Sequence, residues 1–243
     1  MENLIFGLRP VLEALEEGKI PERIFIQKGL TGEIFQKLFK AIRDKNYHYQ
    51  MVPVEKLNRL TRKNHQGVVA QIAIIDYQPL EKLIPGIYEA GETPLLIILD
   101  KVTDVRNLGA IARSAECAGA HGIVISEKGS APVNADAIKT SAGALSRIPV
   151  CREAEILESI TFLRESGIKV AACTEKAGDS IYQTDLKGPL AIIMGSEDKG
   201  ISKACLTLSD VTMSIPQKGK TGSLNVSVAT GIALFEALRQ RQL

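Results

Sequence analysis

Four continuous apolar runs in the second half of the chain restrict the fold more than any other feature. They are Leu95–Leu99, Ile123–Ile125, Val170–Cys173 and Leu190–Met194. Such runs are typical of parallel strands that are buried on both faces. Between and after them lie segments with helical spacing, namely Leu108–Ala118, Ala135–Ser141, Ile156–Ser166 and Val226–Arg239. The alternation, with a last strand near Val211–Ile215, predicts a mostly parallel sheet covered by helices on both sides.

The first 77 residues predict a separate, smaller α/β domain. A helical pattern follows Phe6-Gly7, with apolar residues at Val11, Leu12 and Leu15. The next segments alternate between strand and helix patterns: Ile24–Ile26, Glu33–Asp44, Tyr47–Val52, Val54–Leu60 and Val68–Ile75. Residues 78–93 are rich in proline and glycine and predict a linker with a short helical piece. We therefore expect domains over 1–77 and 94–243.

Composition favours an ordinary globular protein, with 45% hydrophobic and 24% charged residues. No apolar run approaches the length of a membrane span, which is about 18 residues. The first residues lack the pattern of a secretory signal, so we expect a cytoplasmic protein without a membrane partner. The cysteines and histidines lack the spacing of a zinc site or a disulfide framework, which predicts no metal and buried, reduced thiols.

Charge is unevenly distributed along the chain, whose net charge is +2. Residues 1–77 contain 12 basic and 9 acidic side chains, whereas the remaining 166 contain 18 and 19. A mildly basic front domain is typical of a module that touches RNA. An ordinary solvated surface explains this difference almost as well.

The first candidate site follows the strand Leu95–Leu99. Asn107 lies near a helix start, where it is a candidate to act on a substrate or simply to cap the helix. Arg113 follows on the same helix among small apolar residues. A guanidinium in such surroundings favours a phosphate or carboxylate partner over solvent.

Two further loops follow predicted strands of the second domain, and ligands of parallel sheets bind at strand carboxyl ends. In the loop 195–202, Gly195 allows a flat group close to the backbone, and Glu197 is a candidate to hold a polar partner. A P-loop is excluded, because Ile201 stands where that motif needs lysine. In the loop 216–225, Ser223 and Asn225 flank Leu224, which we expect to be buried. These polar groups could orient a substrate hydroxyl, or simply end a glycine-rich loop with a helix cap.

Together the three loops resemble the ordered motifs of the SpoU/TrmH class of SPOUT methyltransferases. The matching segments are Asn107-Leu108-Gly109-Ala110 with Arg113-Ser114, Gly195-Ser196-Glu197 with Gly200, and Ser223-Leu224-Asn225-Val226-Ser227-Val228-Ala229. The front domain is similar to the substrate-binding domain of this class, including the segment Asn64-His65-Gln66-Gly67-Val68-Val69. The likeness covers nearly the whole chain and is strongest to the RlmB-like branch. Val105 and Ser114 depart from the usual proline and threonine.

The resemblance implies a fold and a reaction. The second domain should contain a deep C-terminal trefoil knot that binds S-adenosylmethionine, and the protein should form a homodimer. The reaction is methylation of a ribose 2′-hydroxyl in RNA, most similar to that on a guanosine of 23S ribosomal RNA. Implied cofactor-binding residues are Thr174, Met194, Gly195, Ile215 and Leu224.

The resemblance also assigns roles to polar residues. Asn107, Glu197, Ser223 and Asn225 should position the substrate, whereas Arg113 should be essential either as a base or as a phosphate clamp. A guanidinium keeps its proton at neutral pH, which argues against the base, and the choice stays open. Expected RNA contacts in the front domain are Arg9, Arg59, Arg62, Lys63 and His65.

Three alternative functions remain at this point. The chain could methylate transfer RNA instead of ribosomal RNA. It could be a SPOUT protein that has lost catalysis and only binds RNA during ribosome assembly, although the intact polar motifs argue against this. It could also be a nucleotide-using enzyme, against which the missing P-loop lysine argues.

Overall fold

The computed structural model describes residues 3–242, which separate into two compact units between Ile74 and Ile75. The first unit contains a four-stranded sheet with strand order β1-β4-β2-β3. Only β2 and β3 pair in parallel, and the other neighbours are antiparallel. Its elements are β1 (Leu4–Phe6), α1 (Leu8–Glu16), β2 (Pro21–Gln27), α2 (Glu33–Asp44), β3 (Tyr49–Val52), α3 (Val54–Leu60) and β4 (Val68–Ile72).

The two faces of this first sheet are covered differently. On one face, α1 and α2 pack their apolar stripes against Ile24, Ile26 and Val68. On the other face, α3 alone covers a smaller cluster around Phe25 and Val69. The alternation of inward side chains along each strand produces both clusters.

The second unit is a six-stranded, all-parallel sheet with strand order β10-β8-β9-β5-β6-β7. From β5 the chain adds β6 and the edge strand β7 on one side, and then crosses over to form β8, β9 and β10 on the other side of β5. Its elements are α4 (Leu80–Glu89), β5 (Leu95–Asp100), α5 (Val105–Cys117), β6 (Gly122–Ser126), α6 (Ala135–Thr140), a 3-10 turn (Ala144–Ser146), β7 (Val150–Glu153), α7 (Ile156–Glu165), β8 (Lys169–Cys173), β9 (Leu190–Gly195), α8 (Lys203–Leu208), β10 (Val211–Met213) and α9 (Val226–Arg241).

Helices cover both faces of this second sheet, as the continuous apolar runs predict. Alternate residues of β5 point to opposite sides, with Ile97 toward α5, α6 and α9, and Ile98 toward α4, α7 and α8. Helix α5 approaches α6 closely at Gly109, where an added Cβ would lie 2.7 Å from the carbonyl oxygen of Ala137. Glycine at this position therefore allows the packing that holds the first motif in place.

Most predicted elements are confirmed, including the helices Glu33–Asp44 and Val54–Leu60 with the expected bounds. Three elements were missed, namely β1, β7 and α8. The strands β1 and β7 lie at sheet edges, where short length or charged residues obscure an apolar pattern. Segment 78–93 differs from the expected linker, because α4 buries Leu80 and Ile84 in the core of the second unit.

Within residues 3–242, no helix is long and apolar enough to cross a membrane. The same part of the chain contains no group of three or more His, Cys, Asp or Glu side chains suited to hold a metal ion. All four cysteines are free thiols; Cys151, Cys173 and Cys205 are buried, whereas Cys117 is exposed.

Candidate functional site

A cavity of about 300 Å³ lies at the carboxyl end of the second sheet. The ends of β8 and β9, together with the loops that follow β9 and β10, form its walls. All five residues expected to bind cofactor line this cavity: Thr174, Met194, Gly195, Ile215 and Leu224. Leu224 was expected to be buried, but its side chain is 37% exposed because it faces the open cavity.

The loop after β9 folds back tightly on itself. An added Cβ on Gly195 would lie 2.1 Å from the carbonyl carbon of Gly200, so no other residue fits here. The backbone N–H of Gly200 donates to the carbonyl of Ser196 at 2.9 Å and closes the loop. Glycine is therefore required by the loop's own backbone, and the approach of a flat ligand to Gly195 stays a prediction.

Asp100 holds the far end of the same loop. This side chain at the end of β5 is buried, and its Oδ2 accepts from the backbone N–H of Ser202 at 2.6 Å. Asp100 also pairs in register with Gly195 across β5 and β9. Asp100 thus links both ends of the loop, through its backbone beside Gly195 and its carboxylate at Ser202. Sequence reasoning missed this role because the partners are about 100 residues apart.

Three of the predicted catalytic residues meet in a hydrogen-bonded triangle. Asn107 Nδ2 donates to Glu197 Oε1 at 2.9 Å, and Asn225 Nδ2 donates to the same oxygen at 2.5 Å. Asn225 Nδ2 also lies 3.1 Å from Asn107 Oδ1, to which it donates. Glu197 and its loop line the cavity, so the triangle borders the cavity directly. Each residue comes from a different motif, and the fold brings all three motifs together.

Helix ends position two members of the triangle. Asp104 caps α5 by accepting from the backbone N–H groups of Arg106 and Asn107. The alternative that Asn107 is itself the cap is therefore wrong, and its side chain is free to reach Glu197. Asn225 does cap α9, since its Oδ1 accepts from the N–H of Ser227 at 2.9 Å. This cap fixes the amide so that Nδ2 points toward Glu197.

Ser223 and Arg113 lie outside the triangle. Ser223 is exposed on the wall of the cavity. Arg113 is exposed on α5 and has no ion pair or hydrogen bond from its side chain within residues 3–242. Six residues along an α-helix correspond to a rotation of about 240°, so Arg113 leaves α5 from a different face than Asn107. The chain thus keeps this guanidinium available to an external anion.

Cys173 lines the cavity at the end of β8. Burial raises the pKa of its thiol to about 11. At neutral pH the thiol therefore stays protonated, and it does not compete as a nucleophile with a substrate hydroxyl.

Four of the five expected RNA contacts are exposed on the first unit: Arg9, Arg59, Arg62 and Lys63. The Lys63 ammonium lies 5.6 Å from the centroid of the Phe6 ring. His65 differs, because it is buried and both ring nitrogens are used. Its Nδ1 accepts from the N–H of Gly67 at 3.0 Å, and its Nε2 lies 2.9 Å from Asn58 Oδ1. His65 therefore ties α3 to the turn before β4 and is not available to an RNA phosphate.

Comparisons with known proteins agree with this geometry. A family model described as the SpoU rRNA Methylase family matches residues 94–235, and one described as RNA 2′-O ribose methyltransferase substrate binding matches residues 4–78. The chain is 36% identical over 245 residues to the Escherichia coli 23S rRNA (guanosine-2′-O-)-methyltransferase RlmB, covering 99% of this chain and 100% of that protein.

Two solved structures have similar folds. The SpoU methyltransferase AviRb from Streptomyces viridochromogenes, crystallised with AdoMet, has a TM-score of 0.62 and 26% identity, covering 98% of this chain and 90% of that one. The TrmH/SpoU tRNA modifying enzyme from A. aeolicus has a TM-score of 0.57 and 27% identity, covering 67% of this chain and 84% of that one.

Proposed function

The chain belongs to the SpoU rRNA methylase family, and on this premise we propose that it methylates the ribose 2′-hydroxyl of a guanosine in 23S ribosomal RNA. The chain is an RNA 2′-O-ribose methyltransferase whose methyl donor is S-adenosylmethionine. The choice of ribosomal over transfer RNA is supported by how much of this chain each kind of enzyme aligns with. The ribosomal RNA enzyme RlmB aligns with nearly the whole chain, whereas the tRNA enzyme covers two thirds of it.

The observation that carries this proposal is the triangle of Asn107, Glu197 and Asn225 beside the cavity. Transfer to a 2′-hydroxyl requires that the oxygen be held in line with the methyl group it attacks. Short polar side chains fixed by helix caps and a rigid loop provide such a hold. The 2′-hydroxyl is also the group that distinguishes RNA from DNA.

The cavity residues fit S-adenosylmethionine. The cavity volume of about 300 Å³ lies at the lower end of the range for small-molecule sites, about 300–1,000 Å³. Met194, Ile215 and Leu224 offer apolar contacts to an adenine ring, and the backbone of the tight loop at Gly195 offers polar groups. When bound, the cofactor supplies a methyl group activated by a sulfonium.

We assign substrate positioning to the polar residues of this chain. Glu197 is the carboxylate of the triangle, and within the described chain its Oε2 makes no hydrogen bond, since both asparagines donate to Oε1. This oxygen can accept a hydrogen bond from the 2′-hydroxyl. Ser223, on the cavity wall, can donate to the ribose. The two asparagines hold the carboxylate in a fixed orientation.

We infer that Arg113 clamps an RNA phosphate. Its guanidinium is exposed and has no protein partner in residues 3–242, and a guanidinium keeps its proton at neutral pH, which makes it a poor base. The planar guanidinium can donate two parallel N–H hydrogen bonds to the oxygens of one phosphate. This choice between the two roles left open above rests on exposure and charge.

We further propose that Arg9, Arg59, Arg62 and Lys63 contact RNA phosphates through the first unit. All four are exposed, and the unit matches the substrate-binding family. Phosphate contacts of this kind make binding strongly dependent on salt. Because ribosomal RNA is the proposed substrate, we expect the enzyme to act in the cytoplasm.

A homodimer formed through α9 is also part of this proposal. The side chains of Val228 and Phe235 are 51% and 50% exposed, and they lie seven residues apart on one helix face. Ile232 and Leu238 extend this face and are partly exposed. A continuous exposed apolar stripe on a helix favours a protein partner.

We propose that the second unit contains the trefoil knot of its family. The segments such a knot would interlock are 174–189, between β8 and β9, and 214–225, between β10 and α9. A parallel bridge joins Ser180 of the first to Ser214 of the second. Helix α9 returns to the first segment, where Gln240 Nε2 donates to the carbonyl of Thr184 at 3.0 Å.

Methyl-labelled S-adenosylmethionine tests the function directly. The pure protein is incubated with the cofactor and with RNA from cells that lack its gene, and the labelled ribose is then mapped. We expect label on the 2′-oxygen of a guanosine in the large-subunit ribosomal RNA. Glu197→Ala serves as the matched inactive control.

Other outcomes separate the alternatives. Label in transfer RNA would keep the chemistry and overturn the choice of substrate. Label on a base or on another ribose oxygen would contradict the proposed reaction. An absence of both label and cofactor binding would favour a protein that only binds RNA.

A further inference from the structure

A cluster of aromatic side chains reaches the surface of the first unit on the sheet face opposite to α3. Phe35 and Phe39 lie one turn apart on α2, with ring centroids 5.5 Å apart. The Phe39 ring meets Tyr49 of β3 edge-on at 5.2 Å. Tyr49 is 38% exposed, and both phenylalanines are partly exposed. With Lys40 and Arg43, these three aromatic residues form what we call the α2 patch.

Helical geometry explains why these rings are not buried in the core. Leu38 and Ile42 are fully buried and form the stripe of α2 that covers the sheet. Phe35 and Phe39 lie on the adjacent stripe, because successive residues turn by about 100° around an α-helix. Strand β3 is the edge of the sheet, so no further strand covers Tyr49.

A shallow concavity of about 400 Å³ lies along this side of α2. Its walls are Phe35, Gln36, Phe39, Lys40, Arg43 and Asp44. Lys40 and Arg43 are exposed, and neither forms an ion pair within residues 3–242. One carboxylate, from Asp44, accompanies the two cations, so the patch is positively charged overall. Aromatic faces beside unpaired cations are the surface that single-stranded nucleic acid recognises.

We propose that the α2 patch stacks unpaired bases of the RNA substrate while Lys40 and Arg43 contact the adjacent phosphates. The identity of the substrate as RNA rests on the proposed function, whereas the location of the contact rests on the patch. RNA fits this surface better than a protein partner does, because the rings lie beside unpaired cations in a unit that matches a substrate-binding family. Recognition of exposed bases is the common mode by which proteins bind unpaired RNA.

Affinity of the full chain for two labelled RNAs tests this proposal. The probes are a short unpaired oligonucleotide and a blunt duplex that contains the same sequence. We expect Tyr49→Thr to weaken binding of the unpaired RNA about tenfold, a typical effect of losing one stacked base. Binding of the duplex should stay within about twofold of the unchanged protein, because paired bases are already stacked.

Matched variants separate stacking from charge and from folding. Tyr49→Phe should keep the affinity, because it keeps the ring. Tyr88→Ala in the second unit removes a tyrosine that is 41% exposed and should have no effect. Lys40→Gln should weaken the binding of both RNAs and lower the slope of log affinity against log salt by about one phosphate contact. Tyr49→Thr should leave that slope unchanged.

Several results would overturn the proposal. Unpaired RNA that binds Tyr49→Thr as tightly as the unchanged protein would exclude stacking at the patch. Equal losses for both probes would indicate an electrostatic surface without stacking. If Tyr49→Thr instead changes only self-association in sedimentation, the patch is a protein interface. Methyl transfer by the unchanged protein, measured in parallel, tests the proposed function separately.

Discussion

At the residue scale, Glu197 receives hydrogen bonds from amides that lie 90 and 28 positions away in the chain. Hydrogen bonds to an ionised carboxylate are charge-assisted and are stronger than those between neutral groups. The triangle therefore fixes one carboxylate oxygen and leaves the other available. Arg113 contrasts with it, since its guanidinium is fixed by nothing in the described chain.

Arg113→Ala should abolish methyl transfer while leaving affinity for S-adenosylmethionine nearly unchanged. The physical reason is that Arg113 does not line the cavity, whereas loss of substrate positioning commonly costs about 10²-fold in rate. Single-turnover transfer and calorimetric cofactor binding measure the two effects. Arg106→Ala, an exposed arginine on the same helix, is the control. Retention of more than about a tenth of the activity would contradict the assignment.

Asp100→Ala should weaken cofactor affinity about tenfold or more, because the loop that lines the cavity loses its anchor at Ser202. Asp100→Asn keeps an oxygen that can accept from this N–H and should restore most of the affinity. The measurement is the Kd for S-adenosylmethionine, compared with the melting temperature of each variant. Equal loss of stability in both variants with unchanged affinity would indicate a purely structural residue.

At the scale of elements, α9 is held at both ends. Asn225 caps its first turn, and at the last turn the Arg241 guanidinium donates to the carbonyls of Pro94 at 2.8 Å and Gly188 at 2.7 Å. Gln240 completes the anchor by accepting from the N–H of Leu186. These contacts hold the helix that carries one member of the triangle, and they connect it to the start of β5.

Stability at acidic pH should depend on Glu236, which is buried near this anchor. The hydrogen bond from Arg239 lowers the pKa of Glu236 below its ordinary value. Its contribution is therefore fully present above the unfolded-state pKa of about 4.3 and is lost progressively as pH falls from that value through the lower folded-state pKa. Glu236→Gln should reduce the free energy of unfolding at neutral pH. It should also make this free energy fall less steeply as the pH becomes acidic.

Urea unfolding at several pH values measures this effect, with the exposed Glu158→Gln as the control. The control should follow the unchanged protein throughout. If the free energy of unfolding falls as steeply with acidic pH in Glu236→Gln as in the unchanged protein, other carboxylates dominate acid unfolding.

At the scale of the whole molecule, the two units have separate cores and separate sheets. The first unit carries the exposed basic residues and the α2 patch, whereas the second carries the cavity and the triangle. Under the proposed function, RNA binding is assigned mainly to the first unit and methyl transfer to the second. The exposed face of α9 provides the proposed site for a second copy.

Phe235→Glu should convert the proposed dimer into a monomer and reduce methyl transfer, because a buried charge without a partner strongly disfavours an apolar interface. Sedimentation equilibrium measures the first effect and labelled transfer the second. Leu157→Glu changes a leucine that is 37% exposed on α7 and should affect neither. A Phe235→Glu protein that sediments like the unchanged protein would exclude this face as the interface.

The sequence by itself determined the layers of the fold. Continuous apolar runs specified the parallel sheet, and helical spacing specified α2 and α3 with the observed bounds. These patterns are local, so they can be seen along the chain. Edge strands such as β1 escaped prediction because they bury too few residues to leave an apolar pattern. The three candidate loops were found from their positions after predicted strands, whereas their roles in methyl transfer came from family resemblance.

Only the tertiary structure decided which motif residues meet and which stay apart. It assigned the helix cap to Asp104 in place of Asn107, buried His65 between Asn58 and Gly67, and linked Asp100 to Ser202. Each outcome depends on hydrogen bonds between segments whose distance along the chain carries no information about their distance in space. The chemistry of a side chain is set by its residue type, whereas its hydrogen-bond partners depend on how distant segments pack together.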